Sequence, residues 1–286
     1  MDQLDFVVVQ DIFMNETCKW ADVVLPAACF AEKEGVFTNS ERRVQRVRKA
    51  VEAPGQARAD WRILVDLANA AGGDWRYEDP AEVYAEMAAL SPKFAGISHA
   101  RIEAEGGLQW PCLDADHPGT RYLHGGGVLR GKGLFQAVEY RPSAELPDDT
   151  YPLSLSTGRT LYHYNADTQT RRDAGIEAKQ PEAFIEIHPD DAAARGVEDG
   201  ELVEVVTRRG KVKVQAMFSV QVRKGCIWMP FHFVEARANV LTLPDGDEVT
   251  GTAEYKVCAA QVRLPGEGER TRGRPFPGAF QRTGAR

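Results

Sequence analysis

Few side chains in this sequence stand where their type and surroundings suggest chemistry. Thr157-Gly158-Arg159 follows a short apolar strand pattern; a glycine there permits close backbone approach, and the arginine offers a planar fork for phosphate-type oxygens. Lys33 lies between Glu32 and Glu34, where it is either an anion contact or a solvated charge, and Asp60 stands where it can cap a helix. The five cysteines, Cys18, Cys29, Cys112, Cys226 and Cys258, form no C-x-x-C pair. They read as reduced thiols, most of them packed as small hydrophobes, and neither a disulfide framework nor an iron–sulfur cluster held by this chain alone is expected. The histidines show no ligand spacing, so no metal site is assigned.

The elements that must position these residues fall into three stretches of a 286-residue chain. From Met1 to Ala71, Phe6-Val7-Val8-Val9 reads as a strand buried on both faces and ending at Gln10-Asp11. A short helical segment over Glu16 to Ala21 with Asn15 as N-cap leads to a second buried strand, Asp22-Val23-Val24-Leu25-Pro26. Strand, helix and strand at this spacing suggest a partial Rossmann-like, doubly wound unit whose sheet begins elsewhere. Trp61, Leu64, Val65 and Ala68 then mark one face of a helix over Asp60 to Ala71. From Gly72 to Asp149 the chain is rich in glycine and proline, with one helix over Pro80 to Leu90, and reads as a loop-rich connecting segment. From Thr150 to Leu264 several short strands, a hairpin about Arg208-Arg209-Gly210 and one helix from Pro189, closed by Gly196, suggest a compact β-barrel. The tail over 265–286 reads as disordered.

Composition narrows the partners. With 43% hydrophobic and 27% charged residues the chain is an ordinary globular one. A net charge of −7 argues against general nucleic-acid binding. No apolar run approaches the roughly 20 residues that span a bilayer. The start, Met1-Asp2-Gln3-Leu4-Asp5, does not read as a signal peptide, so a cytoplasmic protein is expected.

Four blocks carry a family resemblance: Val8 to Phe13 with Glu16-Thr17 and Ala21 to Pro26; Glu32 to Gln45; Thr157-Gly158-Arg159 through His163-Tyr164 to Thr168–Arg172; and Phe231-His232-Phe233 with Asn239, Leu241-Thr242 and Glu254-Tyr255-Lys256. In order and spacing they resemble the C-terminal region of molybdopterin-dependent oxidoreductases, most closely formate dehydrogenase large subunits, with nitrate reductases next. The resemblance implies an α/β plus β architecture, a partial Rossmann-like domain followed by a double-psi β-barrel. It implies a bis(molybdopterin guanine dinucleotide) cofactor with molybdenum or tungsten, shared with an N-terminal part or partner subunit that carries the metal ligand and the iron–sulfur clusters. Alternatives are a nitrate reductase of the same superfamily and a non-catalytic pterin-dinucleotide-binding module.

Residue by residue, the resemblance implies guanosine contacts from Gln10 and Asp11, where Asp11 is otherwise a solvated loop acid, and dinucleotide contacts from Lys33 and Asp60. It makes Thr157, Gly158, Arg159, Thr160, Leu161, Tyr162, His163, Tyr164, Asn165 and Ala166 a pterin-contacting loop, with His163 either bonded to the cofactor or simply buried. Phe231 would supply an aromatic wall, and Asn239 and Lys256 polar contacts. Leu243 to Glu248 and Ala253 depart from the family pattern, which leaves the conformation between Asn239 and Lys256 open. No catalytic residue is assigned. From the missing metal ligand and the missing C-x-x-C pair, the purified chain on its own is expected to hold no stoichiometric iron and to oxidise no formate; metal analysis and a formate-dependent dye assay check this.

Overall fold

The computed structural model describes residues 1, 3–128 and 130–266; the tail expected to be disordered lies, beyond Gly266, outside them. The chain divides into two compact units, 1–137 and 138–286. The division thus falls inside the connecting segment, upstream of the barrel boundary expected at Thr150.

In the first unit β1 (Val8–Asp11) and β2 (Val23–Pro26) pair in parallel, with Asp11 opposite Pro26, so both carboxyl ends lie together. Between them a 3-10 turn over Glu16–Trp20 is capped as expected: the Asn15 side chain accepts from Thr17 N–H at 2.9 Å. The β-branched run makes a strand, but not one buried on both faces. Val8 is 42%, Val23 39% and Phe6 63% exposed, a correction to the sequence expectation. The helix α1 (Asp60–Ala70) buries Ile63 and Val65 and leaves Leu64 exposed, so its inner face is rotated from the one read off the sequence.

The stretch expected to be mainly loop contributes a second small core. β3 (Gly35–Thr38) and β4 (Arg43–Val47) form an antiparallel hairpin, and β5 (Leu108–Gln109) joins β4. α2 (Pro80–Leu90) starts at Asp79, whose carboxylate accepts from the Ala81 and Glu82 N–H groups; α3 (His99–Glu105) starts at Ser98 and ends at left-handed Gly106. Val44, Tyr84, Ala88, Ile97, Ile102, Leu108 and Cys112 pack together between them.

The second unit is a closed six-stranded barrel in the order β10 (Cys226–Pro230), β6 (Leu153–Gly158), β11 (Cys258–Arg263), β8 (Leu202–Val206), β9 (Lys211–Phe218), β7 (Phe184–Ile187). Closure leaves no sheet edge. Val212, Val214 and Ala216 point inward on β9 as the alternation requires, among Leu155, Ile185, Ile187, Val203, Val205, Ile227, Met229 and Val262. Two short helices, α4 (Ala174–Glu177) and α5 (Pro189–Ala193), lie between strands; the His188 side chain caps the second by accepting from Asp190 N–H. No described helix is long and apolar enough to cross a membrane.

The lead-in to the barrel is tied down by one carboxylate. Glu145, nearly buried, accepts from Arg208, from Arg209 at 2.7 Å and from the Ala259 N–H at 2.9 Å. The Arg209 guanidinium above all holds its carboxyl down at about 2, against the opposing effect of burial. Because this folded-state value lies below the ordinary 4.5, the stability it contributes is full above about pH 4.5 and fades as pH falls toward 2. Glu145→Gln is expected to destabilise the barrel by on the order of 3 kcal/mol at pH 7 and by much less at pH 3. Urea unfolding of both proteins at the two pH values measures the difference.

Candidate functional site

The parallel pairing of β6 with β10 sets Gly158 opposite Pro230, so the two strands finish side by side. β11 runs antiparallel to β6, with Cys258 opposite Leu155, which brings the residues before it to the same end. Three segments far apart in sequence therefore meet there: 157–166, 231–233 and 255–256. The Thr157 hydroxyl donates to the Tyr255 carbonyl at 2.8 Å, and the Lys256 ammonium donates to the Thr157 carbonyl.

The exposed Arg159 guanidinium lies 5.6 Å from the centre of the Phe231 ring and donates to the Asn165 side-chain oxygen at 2.9 Å. One exposed cation is thus aimed by an aromatic face and an amide. Leu161, Tyr162 and Tyr164 present large apolar surfaces to solvent from the same loop, Leu161 being 90% exposed. Asn165 and Asp167 take positive φ values of 49° and 53°, a turn that asparagine and aspartate tolerate better than most residues. Asn239 sits exposed on a 3-10 turn held by buried Ala238 and Leu241. The departure from the family pattern after Thr242 is a short closed turn: Gly246 bridges Ala253, and the Asp247 carboxylate accepts from Val249 and Thr250 N–H groups.

Two sequence expectations change in detail. His163 is fully buried, with Nδ1 bonded to the Thr170 hydroxyl and Nε2 to the Gln180 carbonyl, both at 2.8 Å. Both ring nitrogens are engaged within the chain, as in the buried alternative. At Gly158 the close approach comes from this chain: a Cβ there would stand 2.5 Å from the Trp228 indole nitrogen.

The site also contains residues to which the sequence assigned no role. His232 is 2% exposed; its Nε2 accepts from the Thr160 N–H at 2.9 Å, and its Nδ1 lies 2.7 Å from the Asn165 carbonyl. Desolvation lowers its pKa against the bond to Asn165, which raises it, and His163 and Arg159 add to the lowering. The available signal was a lone polar residue between Phe231 and Phe233. Asp167 is buried with one oxygen lacking any hydrogen bond, and Arg171 stands 3.8 Å from it. Burial pushes its carboxyl up to about 6.

In the first unit, Gln10, Lys33 and Asp60 come together at the carboxyl end of β1. The Gln10 amide donates to Asp60 at 2.6 Å, and the Lys33 ammonium pairs with the other Asp60 oxygen. Burial raises the Asp60 carboxyl, but these two bonds outweigh it and keep it below the ordinary range. Asp60 is the first residue of α1, and Ala59 holds the cap position. Asp11 is a local turn acceptor, taking the Phe13 N–H at 3.0 Å and the Asn15 amide at 2.8 Å. Lys33 and Asp60 border a cavity of about 380 Å³ whose walls include Val36, Val83 and Met87.

Comparison with known proteins gives these clusters a context. Residues 153–259 match the molydopterin dinucleotide binding domain and residues 1–70 match molybdopterin oxidoreductase. The chain is 48% identical over 266 residues to the F420-dependent formate dehydrogenase subunit alpha of Methanocaldococcus jannaschii, covering 92% of this chain and 39% of that one. It is 50% identical to the F420-dependent formate dehydrogenase 2 subunit alpha of Methanococcus maripaludis, with the same coverage. The assimilatory nitrate reductase catalytic subunit of Bacillus subtilis is 36% identical, covering 91% of this chain and 38% of that one. The chain therefore spans about two fifths of the length of these relatives. Among solved structures, acetylene hydratase from Pelobacter acetylenicus shares the fold, with a TM-score of 0.68 at 19% identity over 91% of this chain and 40% of that one.

The contact between Gly158 and Trp228 yields a prediction independent of any ligand. Gly158→Ala is expected to lower barrel stability by about 1–3 kcal/mol through overpacking against the indole. Trp228→Leu should relieve part of that loss. A double-mutant cycle by thermal unfolding reads the coupling, and strictly additive effects would remove this explanation.

Proposed function

The chain belongs to the molybdopterin oxidoreductases, and from that premise we propose that it is the dinucleotide-binding part of a formate dehydrogenase. The reaction is HCOO⁻ → CO2 + H⁺ + 2 e⁻. The observation that carries the reading is the convergence of 157–166, Phe231 and Lys256 at one end of the barrel, within the stretch that matches a dinucleotide-binding domain. Identity of 48–50% to formate dehydrogenase subunits, against 36% to a nitrate reductase, supports formate as the substrate.

The side chains present fit a bis(molybdopterin guanine dinucleotide) group. Arg159 is exposed, always charged and already oriented, which suits an anionic phosphate oxygen. Phe231 supplies a flat apolar wall, Asn239 an amide, and the Lys256 ammonium has donors left after its bond to Thr157. Peptide groups of the loop from Thr160 to Ala166 add further donors and acceptors. In the first unit, ionised Asp60 is an acceptor suited to base N–H groups or ribose hydroxyls, with Gln10 and Lys33 holding it in place; Asp11 offers its remaining lone pairs at the same strand end.

When bound, the group would supply a molybdenum or tungsten centre able to take up the two electrons of formate. The residues of this chain bind and orient it; none is assigned to the chemical step. The metal ligand and the iron–sulfur clusters belong, in this reading, to an N-terminal part or partner subunit, and the protein works in the cytoplasm, in keeping with its five unpaired cysteines.

Purification with the part that carries the metal ligand, followed by formate-dependent dye reduction and nitrate-dependent dye oxidation, tests the substrate. Formate turnover is expected; nitrate turnover alone would move the protein to the nitrate reductases, and cofactor binding without either would make it a binding module. In the complete enzyme, Arg159→Ala is expected to lower molybdenum or tungsten content roughly tenfold or more when cofactor is limiting, since a charge-assisted bond contributes about 1.5–3 kcal/mol. Unchanged metal content would remove Arg159 from the site.

A further inference from the structure

We propose that His232 is the positioning residue of the 159–166 loop: bonded to Thr160 at one end of the loop and Asn165 at the other, its neutral ring fixes the loop's curvature and through it the place of Arg159. The inference rests on the reading of this loop as cofactor-binding.

The geometry dictates the state of the ring. The Thr160 N–H is a donor, so Nε2 must be the unprotonated acceptor. The single proton of the neutral imidazole is then on Nδ1, which donates to the Asn165 carbonyl. A side chain with only one polar atom could not serve both ends. Asn165 lies in the left-handed region, where the backbone needs outside support, and its side chain accepts from Arg159. The path from His232 to the exposed cation thus runs through one residue. Packing holds the ring in turn: Phe231 lies at 5.0 Å, His163 at 6.1 Å and Phe233 at 6.3 Å between ring centres. His163 ties the loop a second way, its N–H reaching the Thr160 hydroxyl at 3.3 Å. Protonation of Nε2 would set two donors against each other and bury a cation beside Arg159 and His163, which is why burial in this place favours the neutral ring.

Two measurements on the full chain test the ring itself. Imidazole ¹⁵N spectra should show His232 as the Nδ1–H tautomer, with its titration displaced below that of free imidazole. The Nε2–H tautomer, or titration at the free value, would overturn the proposal. In His232→Phe, which keeps an aromatic ring and removes both bonds, amide exchange of Thr160 and the 159–166 loop should rise roughly tenfold. The β8 and β11 amides should stay protected. Exchange at the wild-type rate in the loop would overturn it. Should the phenylalanine variant lose protection throughout the barrel, His232→Met, whose thioether is at most a weak acceptor and carries no donor, decides. Loop exchange between wild type and a fully open loop with an intact barrel supports the role, and wild-type exchange refutes it.

Cofactor content of the complete enzyme then separates this inference from the reading beneath it. Metal loss in both His232→Phe and Arg159→Ala supports both. Loss in Arg159→Ala with normal content in His232→Phe overturns the positioning role and keeps the cofactor reading. Normal content in both variants removes Arg159 and its loop from the cofactor site, the part of the reading this inference rests on, and the tautomer and exchange results still report whether the ring holds the loop.

Discussion

Two strands that run the same way in a barrel finish at the same end, and the candidate site follows from that constraint. β6 and β10 are such a pair, and a parallel pair needs a long connection between its members. Here that connection carries α4, β7, α5, β8 and β9, so most of the barrel is built while the chain returns from Gly158 to Cys226. The antiparallel β11 then delivers Tyr255 and Lys256 to the finished end. A continuous apolar cluster fills the barrel, and the site gathers at the rim, where peptide groups leave the ladder and must find other partners. His232 supplies two of those partners at once.

The first unit solves a related problem with charge. Lys33 and Asp60 pair while still partly open to water, a setting in which an ion pair contributes little to stability. Its effect is to fix a carboxylate, ionised, against the Gln10 amide at the end of a parallel strand. The same residues carried separately on loops would spend their time solvated. Binding to an assembled group of this kind does not have to repay the ordering of each side chain.

Much of this was legible in the sequence, and the reasons for the rest are physical. Asn15, Pro80 and the alternation of β9 act through neighbours a few residues away, so their patterns survive in one dimension. The hairpin of β3 and β4 was not read because its turn, Asn39 to Arg42, depends on Arg42 at a positive φ, held by the distant carbonyls of Trp110 and Thr120. The burial of β1 was overread, since a run of valines reports the tendency to form a strand and not what covers it. At the site, the family resemblance pointed to the loop from Thr157 to Ala166 but could not say which side chains face inward. His163 and His232 are chemically alike in the sequence; only the fold shows that one braces the interior through Thr170 and Gln180 while the other spans the loop.

Asp167 gives the barrel a dependence on protons opposite in sign to that of Glu145. Its carboxyl titrates at about 6 in the folded chain and near 3.8 when unfolded, because ionisation leaves a charge in a place with one weak cationic neighbour. The folded state therefore binds this proton more tightly than the unfolded state, and stability falls as pH rises from about 3.8 through 6. Glu145 loses its contribution in the other direction, below about 4.5. Taken together, the two carboxyls favour mildly acidic solution, and between about pH 3.8 and 6 folding of the barrel is coupled to proton uptake by a residue one position beyond the loop that His232 spans.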